Sequence, residues 1–180
     1  MARSWMASLV VFLVAIVALE AGGITAQVDQ SPFSVAIAVP TRFGKRSIEL
    51  YRPEQHFHVV LTNISKHDES VWREWCSWGY FNLSFEVTDS EGKTVVVKKK
   101  QREWDKNYPD FATIDPNGNF VIEVTFDPEV WENPPLPEMG KSQTVSIQAI
   151  YESAECGEAK ERKVWTGRAV SEKKEYTICR

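Results

Sequence analysis

The strongest constraint on this chain is a two-residue alternation of apolar and polar side chains. From position 81, the apolar Phe81, Leu83, Phe85 and Val87 interleave with Asn82, Ser84, Glu86 and Thr88. Successive side chains of an extended chain point to opposite faces, so the segment has one greasy and one wet face and predicts a half-buried antiparallel strand. Asp89-Ser90-Glu91-Gly92 then supplies turn chemistry, and Lys93-Thr94-Val95-Val96-Val97 returns, which makes a hairpin. The same period runs through Phe33, Val35, Ile37 and Val39 before Pro40, and through Phe57, Val59 and Leu61 before the turn Asn63-Ile64-Ser65. It recurs in Phe120, Ile122, Val124 and Phe126, after the turn signal Asp115-Pro116-Asn117-Gly118, and in Val145, Ile147, Ala149 and Tyr151. Shorter strands are predicted at Ile48-Glu49-Leu50-Tyr51, Val164-Trp165-Thr166 and Tyr176-Thr177-Ile178.

About eight or nine short strands separated by turns predict an all-β domain, read as an immunoglobulin-like antiparallel β-sandwich. Periodicity does not decide whether the sheet closes into a barrel. One helical signal, Asp127-Pro128-Glu129-Val130-Trp131-Glu132, has an N-cap Asp and Pro at the first helical position, and Pro134-Pro135 limits it to a single turn. The short piece Asn133-Pro134-Pro135-Leu136-Pro137 reads as a rigid crossing between sheets and not as an interdomain linker, so residues 27–180 form one domain.

The start of the chain follows a different plan. Arg3 precedes an uninterrupted apolar run, Ala7 to Leu19, that ends at Glu20 and small residues. This is the layout of a secretory signal peptide, and the run is shorter than the roughly 20 residues of a membrane-spanning helix. A cleaved leader of residues 1–26 is therefore favoured over a retained anchor, with cleavage after Ala26. No second apolar stretch approaches membrane length, so the expectation is an exported protein, periplasmic or extracellular, with no stable membrane span. A hydrophobic content of 43% supports an ordered core, and a net charge of -4 gives no reason to expect a nucleic-acid partner. All three cysteines lie beyond the leader, where an oxidising compartment permits a disulfide. Cys156 and Cys179, at the ends of predicted C-terminal strands, are the preferred pair with Cys76 free; three buried thiols are the alternative.

The densest functional signal is Val71-Trp72-Arg73-Glu74-Trp75-Cys76-Ser77-Trp78-Gly79-Tyr80. Trp72, Trp75, Trp78 and Tyr80, with Trp104 nearby, supply the large amphipathic area that binding surfaces use against proteins or sugars; the competing reading is that these rings cap one end of the core. His56 and His58, two apart on a strand, share a face and are weak metal candidates without a third ligand, so no metal or other cofactor is expected. Lys98-Lys99-Lys100-Gln101-Arg102 either attracts an acidic surface or simply blocks edge pairing. Asn63-Ile64-Ser65 and Asn82-Leu83-Ser84 are sequons, usable only if the host glycosylates exported proteins. No nucleophile elbow, zinc-protease helix, phosphate loop or dinucleotide fingerprint is present, so no enzymatic activity is expected.

The phrase Leu61-Thr62-Asn63-Ile64-Ser65, the hairpin closed by Asp-x-x-Gly, and the run from Phe111 to Gly118 resemble secreted immunoglobulin-like modules of bacteria, in which a strand ends in L-T-N-x-S and a later one follows an L-x-P-G turn. Ile114-Asp115-Pro116-Asn117-Gly118 departs from that turn by an extra Asn. Val164 to Ser171 and Glu175-Tyr176-Thr177-Ile178 resemble the last strands of such modules, so the likeness covers residues 32–178. It implies the fold and no catalytic residues. The functional expectation is a noncatalytic module that binds a protein or polysaccharide through the Trp-rich segment. The alternatives are a structural envelope or matrix component with the Trp cluster in its core, and a proteinase-inhibitor-like module presenting a loop from Glu132 to Met139.

Overall fold

A computed structural model of the chain describes residues 31–40, 47–49 and 56–180. The leader read at residues 1–26 lies outside the described residues, and so do Leu50 and Tyr51 of the second predicted strand. In chain order the strands are β1 (Phe33–Ala38), β2 (Ser47–Glu49), β3 (Phe57–Asn63), β4 (Glu69–Trp72), β5 (Leu83–Thr88), β6 (Thr94–Lys99), β7 (Phe111–Ile114), β8 (Asn119–Val124), β9 (Trp131–Glu132), β10 (Ser142–Ser153), β11 (Gly167–Val170) and β12 (Lys174–Cys179). Two short helices interrupt them, α1 (Ser77–Tyr80) and α2 (Gly157–Arg162).

The all-β expectation holds, in several sheets built almost wholly from antiparallel pairs. One sheet has the order β1-β3-β8, a larger one the order β2-β12-β10-β5-β6-β9 with β11 also on β10, and β4 pairs with β7 in a ribbon. Strand β10 is the axis of the larger sheet. On one side its residues 146–151 pair with β5; on the other its first half pairs with β12 and its last four residues with β11. The one parallel ladder among the described residues joins β12 to β2.

The alternation read from the sequence decides which side chains are buried. Phe57, Val59 and Leu61 of β3 and Phe85, Val87, Val145, Ile147, Ala149 and Tyr151 of β5 and β10 all enter one core cluster, with Val35, Ile122, Val124, Tyr176 and Ile178. Residues from both larger sheets therefore share a single core. Its centre is aromatic: the Phe57 and Phe85 rings meet edge to face at 5.8 Å across the sheets, and Phe126 lies 5.0 Å from Phe57.

The hairpin of β5 and β6 closes as expected, with Gly92 at φ 82° and its N–H on the Asp89 carbonyl. Other details differ from the sequence reading. Twelve strands are present among the described residues where eight or nine are expected, because β4, β7 and β9 are too short to show a period. Phe81 stands outside β5 and is exposed, since the Gly79 carbonyl captures the Asn82 N–H before the strand begins. Val164 makes only an isolated bridge to Ser70, and the strand expected at 164–166 begins instead at Gly167, whose φ of 139° turns the chain beside the Trp165 ring. The expected turn at 127–132 is one turn: the Asp127 carbonyl accepts the N–H groups of both Val130 and Trp131, after which Trp131 pairs in β9.

The proposed Cys156–Cys179 pairing is corrected. Cys179 pairs with Ser142 at the first residue of β10, whereas Cys156 lies beyond Ser153, its last. Eleven extended steps at about 3.3 Å each put them roughly 36 Å apart, far outside the roughly 7 Å Cα limit of a disulfide. All three thiols are free, with Cys76 buried and the other two half-buried.

Candidate interaction surface

Two loops meet at one end of the molecule: residues 73–82, which carry α1, and residues 100–110, which link β6 to β7. Their union is built from polar side chains that each satisfy the other loop. The Asn107 Oδ1 accepts the Ser77 backbone N–H at 2.9 Å, and its Nδ2 donates to the Ser77 hydroxyl at 2.6 Å. The Arg73 N–H donates to the Asp110 carbonyl at 3.0 Å, and the Trp75 Nε1–H donates to the Asp110 carboxylate. Gly79 is required here, because a Cβ would stand 2.1 Å from the Arg73 carbonyl oxygen.

The residues singled out from the sequence divide sharply. Trp72 is 2% exposed and packs with Trp78 at 5.9 Å and Phe111 at 6.2 Å in a second, small hydrophobic cluster. Tyr80 is buried against Trp104, 5.6 Å away, while Trp78 and Trp104 are half-buried. Trp75 is 61% exposed. Four adjacent aromatic positions thus do not make one coplanar sugar platform.

Among the described residues, the exposed large aromatic side chains are Trp75, Phe81 and Tyr108, and all three belong to this loop pair. Trp75 is held in place, with the Arg73 guanidinium 5.1 Å over its ring and Asp110 on its indole nitrogen. Phe81 and Tyr108 were not among the sequence candidates. Phe81 was absorbed into the period of β5, and Tyr108 stands in a polar loop with no period; a lone Tyr beside Pro109 and Asp110 was the available signal.

One lysine of the basic run turns inward while its neighbours stay exposed. Lys99 is nearly buried, its Nζ 3.2 Å from the Glu74 carboxylate, 4.5 Å from the Tyr80 ring centre and 5.6 Å from that of Trp131. Arg102 lies 4.3 Å over Trp104 and 5.2 Å over Tyr80, and Lys98 reaches Glu132 at 3.3 Å. Cations over aromatic faces hold the loops to the sheet. Behind them the Tyr151 hydroxyl donates to the Trp72 carbonyl at 3.3 Å and accepts from Asn82 Nδ2 at 3.4 Å, and burial pushes its phenol up to about 12.

The remaining candidates are engaged elsewhere. His56 Nδ1 lies 2.6 Å from the Glu123 carboxylate, and His58 stands directly opposite Glu123 in the β3–β8 ladder. No group of three or more metal-ligating side chains gathers among the described residues. Asn63 is fully buried, its Nδ2 donating to the His67 and Ile114 carbonyls at 2.7 and 2.8 Å. Asn82 is buried as well, so both sequons have their amides inside the fold. The loop after β9 does not protrude: Pro135 and Pro137 are buried and Leu136 packs on the core, leaving Met139 exposed at its end. A cavity of about 580 Å³ beside α2 is lined by Glu155, Cys156, Gly157, Lys160, Val164 and Thr166. No helix among the described residues is long and apolar enough to cross a membrane. No known family model and no curated protein matches the chain.

Proposed function

We propose that the chain is an exported, noncatalytic interaction module on an immunoglobulin-like sandwich, and that it binds a protein through loops 73–82 and 100–110 with Trp75 as the central anchor. The observation that carries this reading is that Trp75, Phe81 and Tyr108, the exposed large aromatics of the described residues, all belong to one pair of loops bonded to each other. Aromatic and Arg side chains dominate the energetics of protein interfaces, and an anchor already fixed by its neighbours loses little freedom on binding. Arg73 and Asp110, both partly exposed at the rim of Trp75, suit a partner with mixed charge. A polysaccharide is the weaker partner, because flat stacking needs neighbouring coplanar rings. Export follows from the leader-like residues 1–26, and N-terminal sequencing of secreted protein should begin at Gln27.

The test compares the parent with a Trp75→Ala, Tyr108→Ala double variant on two probes: secreted proteins of the source organism and a panel of soluble polysaccharides. Binding of a secreted protein that the double variant loses, at unchanged melting temperature, supports the reading. Equal binding by both proteins, or binding only to polysaccharide, overturns it. The burial of Trp72, Tyr80 and Trp131 favours a second reading, a structural matrix component, in which the double variant has no binding to lose.

A further inference from the structure

We propose that Cys76 and Cys156, free thiols in this structure, are the pair that oxidation joins in a disulfide fastening α1 to α2. Three observations bring these thiols together. The Glu152 N–H donates to the Asn82 carbonyl at 2.8 Å, continuing the β5–β10 register past Leu83 and Tyr151. The chain segments before Asn82 and after Glu152 therefore leave the same strand pair side by side. Cys76 precedes Asn82 by the single turn of α1 and the turn that the Gly79 carbonyl closes on the Asn82 N–H, and Cys156 follows Glu152 by four residues, so both stand just past that shared hydrogen bond. Both side chains also pack against one small cluster, formed by Trp72, Ala159 and Val164 with Trp78 and Phe111.

Each thiol also occupies the N-cap of its helix, with the backbone extended at φ -118° for Cys76 and -152° for Cys156. Neither cap rests on a strong bond: the Cys156 sulfur accepts the Ala159 N–H at 3.4 Å, and the Cys76 thiol donates to the Arg73 carbonyl at 3.2 Å. Helix α2 is attached through the exposed Ala154 and Glu155 and buries a single residue, Ala159, so moving it toward α1 disturbs little packing.

The oxidant is a disulfide donor such as oxidised glutathione. The half-buried Cys156, as thiolate, attacks one donor sulfur and releases one donor thiol, leaving a mixed disulfide. Cys76, losing its proton, displaces the second donor thiol as the S–S bond forms. Two electrons pass to the donor, and the two protons given up by the protein end on the two released thiols.

The full chain is reduced, equilibrated in the folded state with oxidised and reduced glutathione, alkylated and digested with trypsin without reduction. Cys76, Cys156 and Cys179 fall in separate peptides, 74–93, 142–160 and 175–180. The expected product joins 74–93 to 142–160 with the loss of two hydrogens, is unaffected by Cys179→Ser, and lowers tryptophan fluorescence through the sulfur beside Trp72 and Trp78. Full alkylation of Cys76 and Cys156 in the folded protein, or linkage of either only to Cys179, to glutathione or to a second chain, overturns the proposal. Because Cys156→Ser removes one partner at a half-buried site, it should fold and leave Cys76 alkylatable after unfolding; a Cys76 still protected from alkylation in that unfolded variant would also overturn it.

Discussion

The substitution Asn63→Ala reports directly on how the end of β3 is held. Asn63 is fully buried, and its side chain makes three bonds at once: Nδ2 to the His67 carbonyl, Nδ2 to the Ile114 carbonyl, and Oδ1 from the Ser65 N–H at 2.9 Å. Its backbone N–H reaches the Gly118 carbonyl and its carbonyl accepts from Asn117, so one residue ties β3 to the following loop and to the β7–β8 turn. At about 1 kcal/mol net per hydrogen bond, three lost bonds cost about 3 kcal/mol, and the stranded buried carbonyl of Ile114 adds at least about 1 kcal/mol. A total near 4 kcal/mol removes a large part of the roughly 5–15 kcal/mol that stabilises a domain. Urea unfolding followed by tryptophan fluorescence should show a lower midpoint at unchanged slope. Asn63→Asp should not rescue the fold, because it keeps the acceptor for Ser65 but has no N–H to offer the two carbonyls. A loss below about 1 kcal/mol in the Ala variant would refute the idea that this amide is the junction of the three segments.

Other outcomes follow from the same geometry. Trp72→Ala should cost about 3–5 kcal/mol, whereas Trp75→Ala should stay within about 0.5–1 kcal/mol of the parent, and similar melts for the two would remove the distinction between core and surface rings. Lys99→Ala should destabilise by about 2–3 kcal/mol because it strands Glu74 and uncovers two rings, while Lys98→Ala, at an exposed pair, should be close to silent in the same denaturation assay. Burial raises the Tyr151 phenol from 10.0 to about 12, so the stability it contributes is complete below pH 10 and is lost as pH rises from 10 through 12; alkaline unfolding of Tyr151→Phe should lack that portion of the slope.

The strands that alternate over six or more residues were legible in the sequence because burial on one face leaves a period of two, as Phe57, Val59 and Leu61 show. Strands of two to four residues, such as β7 and β9, cannot display a period, and their pairing depends on partners far along the chain. Helix α2 leaves little mark in the sequence because its N-cap is Cys156, outside the usual Ser, Thr, Asp and Asn, and because it buries only Ala159. The candidate surface was half legible. The Trp cluster marks 72–80, but spacing alone does not tell that Trp72 faces inward and Trp75 outward, since β4 ends at Trp72 and Trp75 lies in the turn that precedes α1. Tyr108 reaches the surface only through the docking of a second loop, a tertiary event with no local sequence mark. The turn Asp115-Pro116-Asn117-Gly118 makes the opposite case: its Pro, Asn and Gly mark it locally, and Asn117 takes a left-handed φ of 63°.

The parallel pairing of β2 with β12 sets a condition on folding during synthesis. It joins Ser47 to Thr177, 130 positions later, so an early strand waits for nearly the last residues described. Contacts of such separation fold slowly because the loop must close before the pairing repays it. Until β12 arrives, the first half of β10 is a bare strand edge able to recruit another chain. Loss of the final seven residues, which contain β12, should therefore show first as aggregation during biogenesis, before any defect in binding.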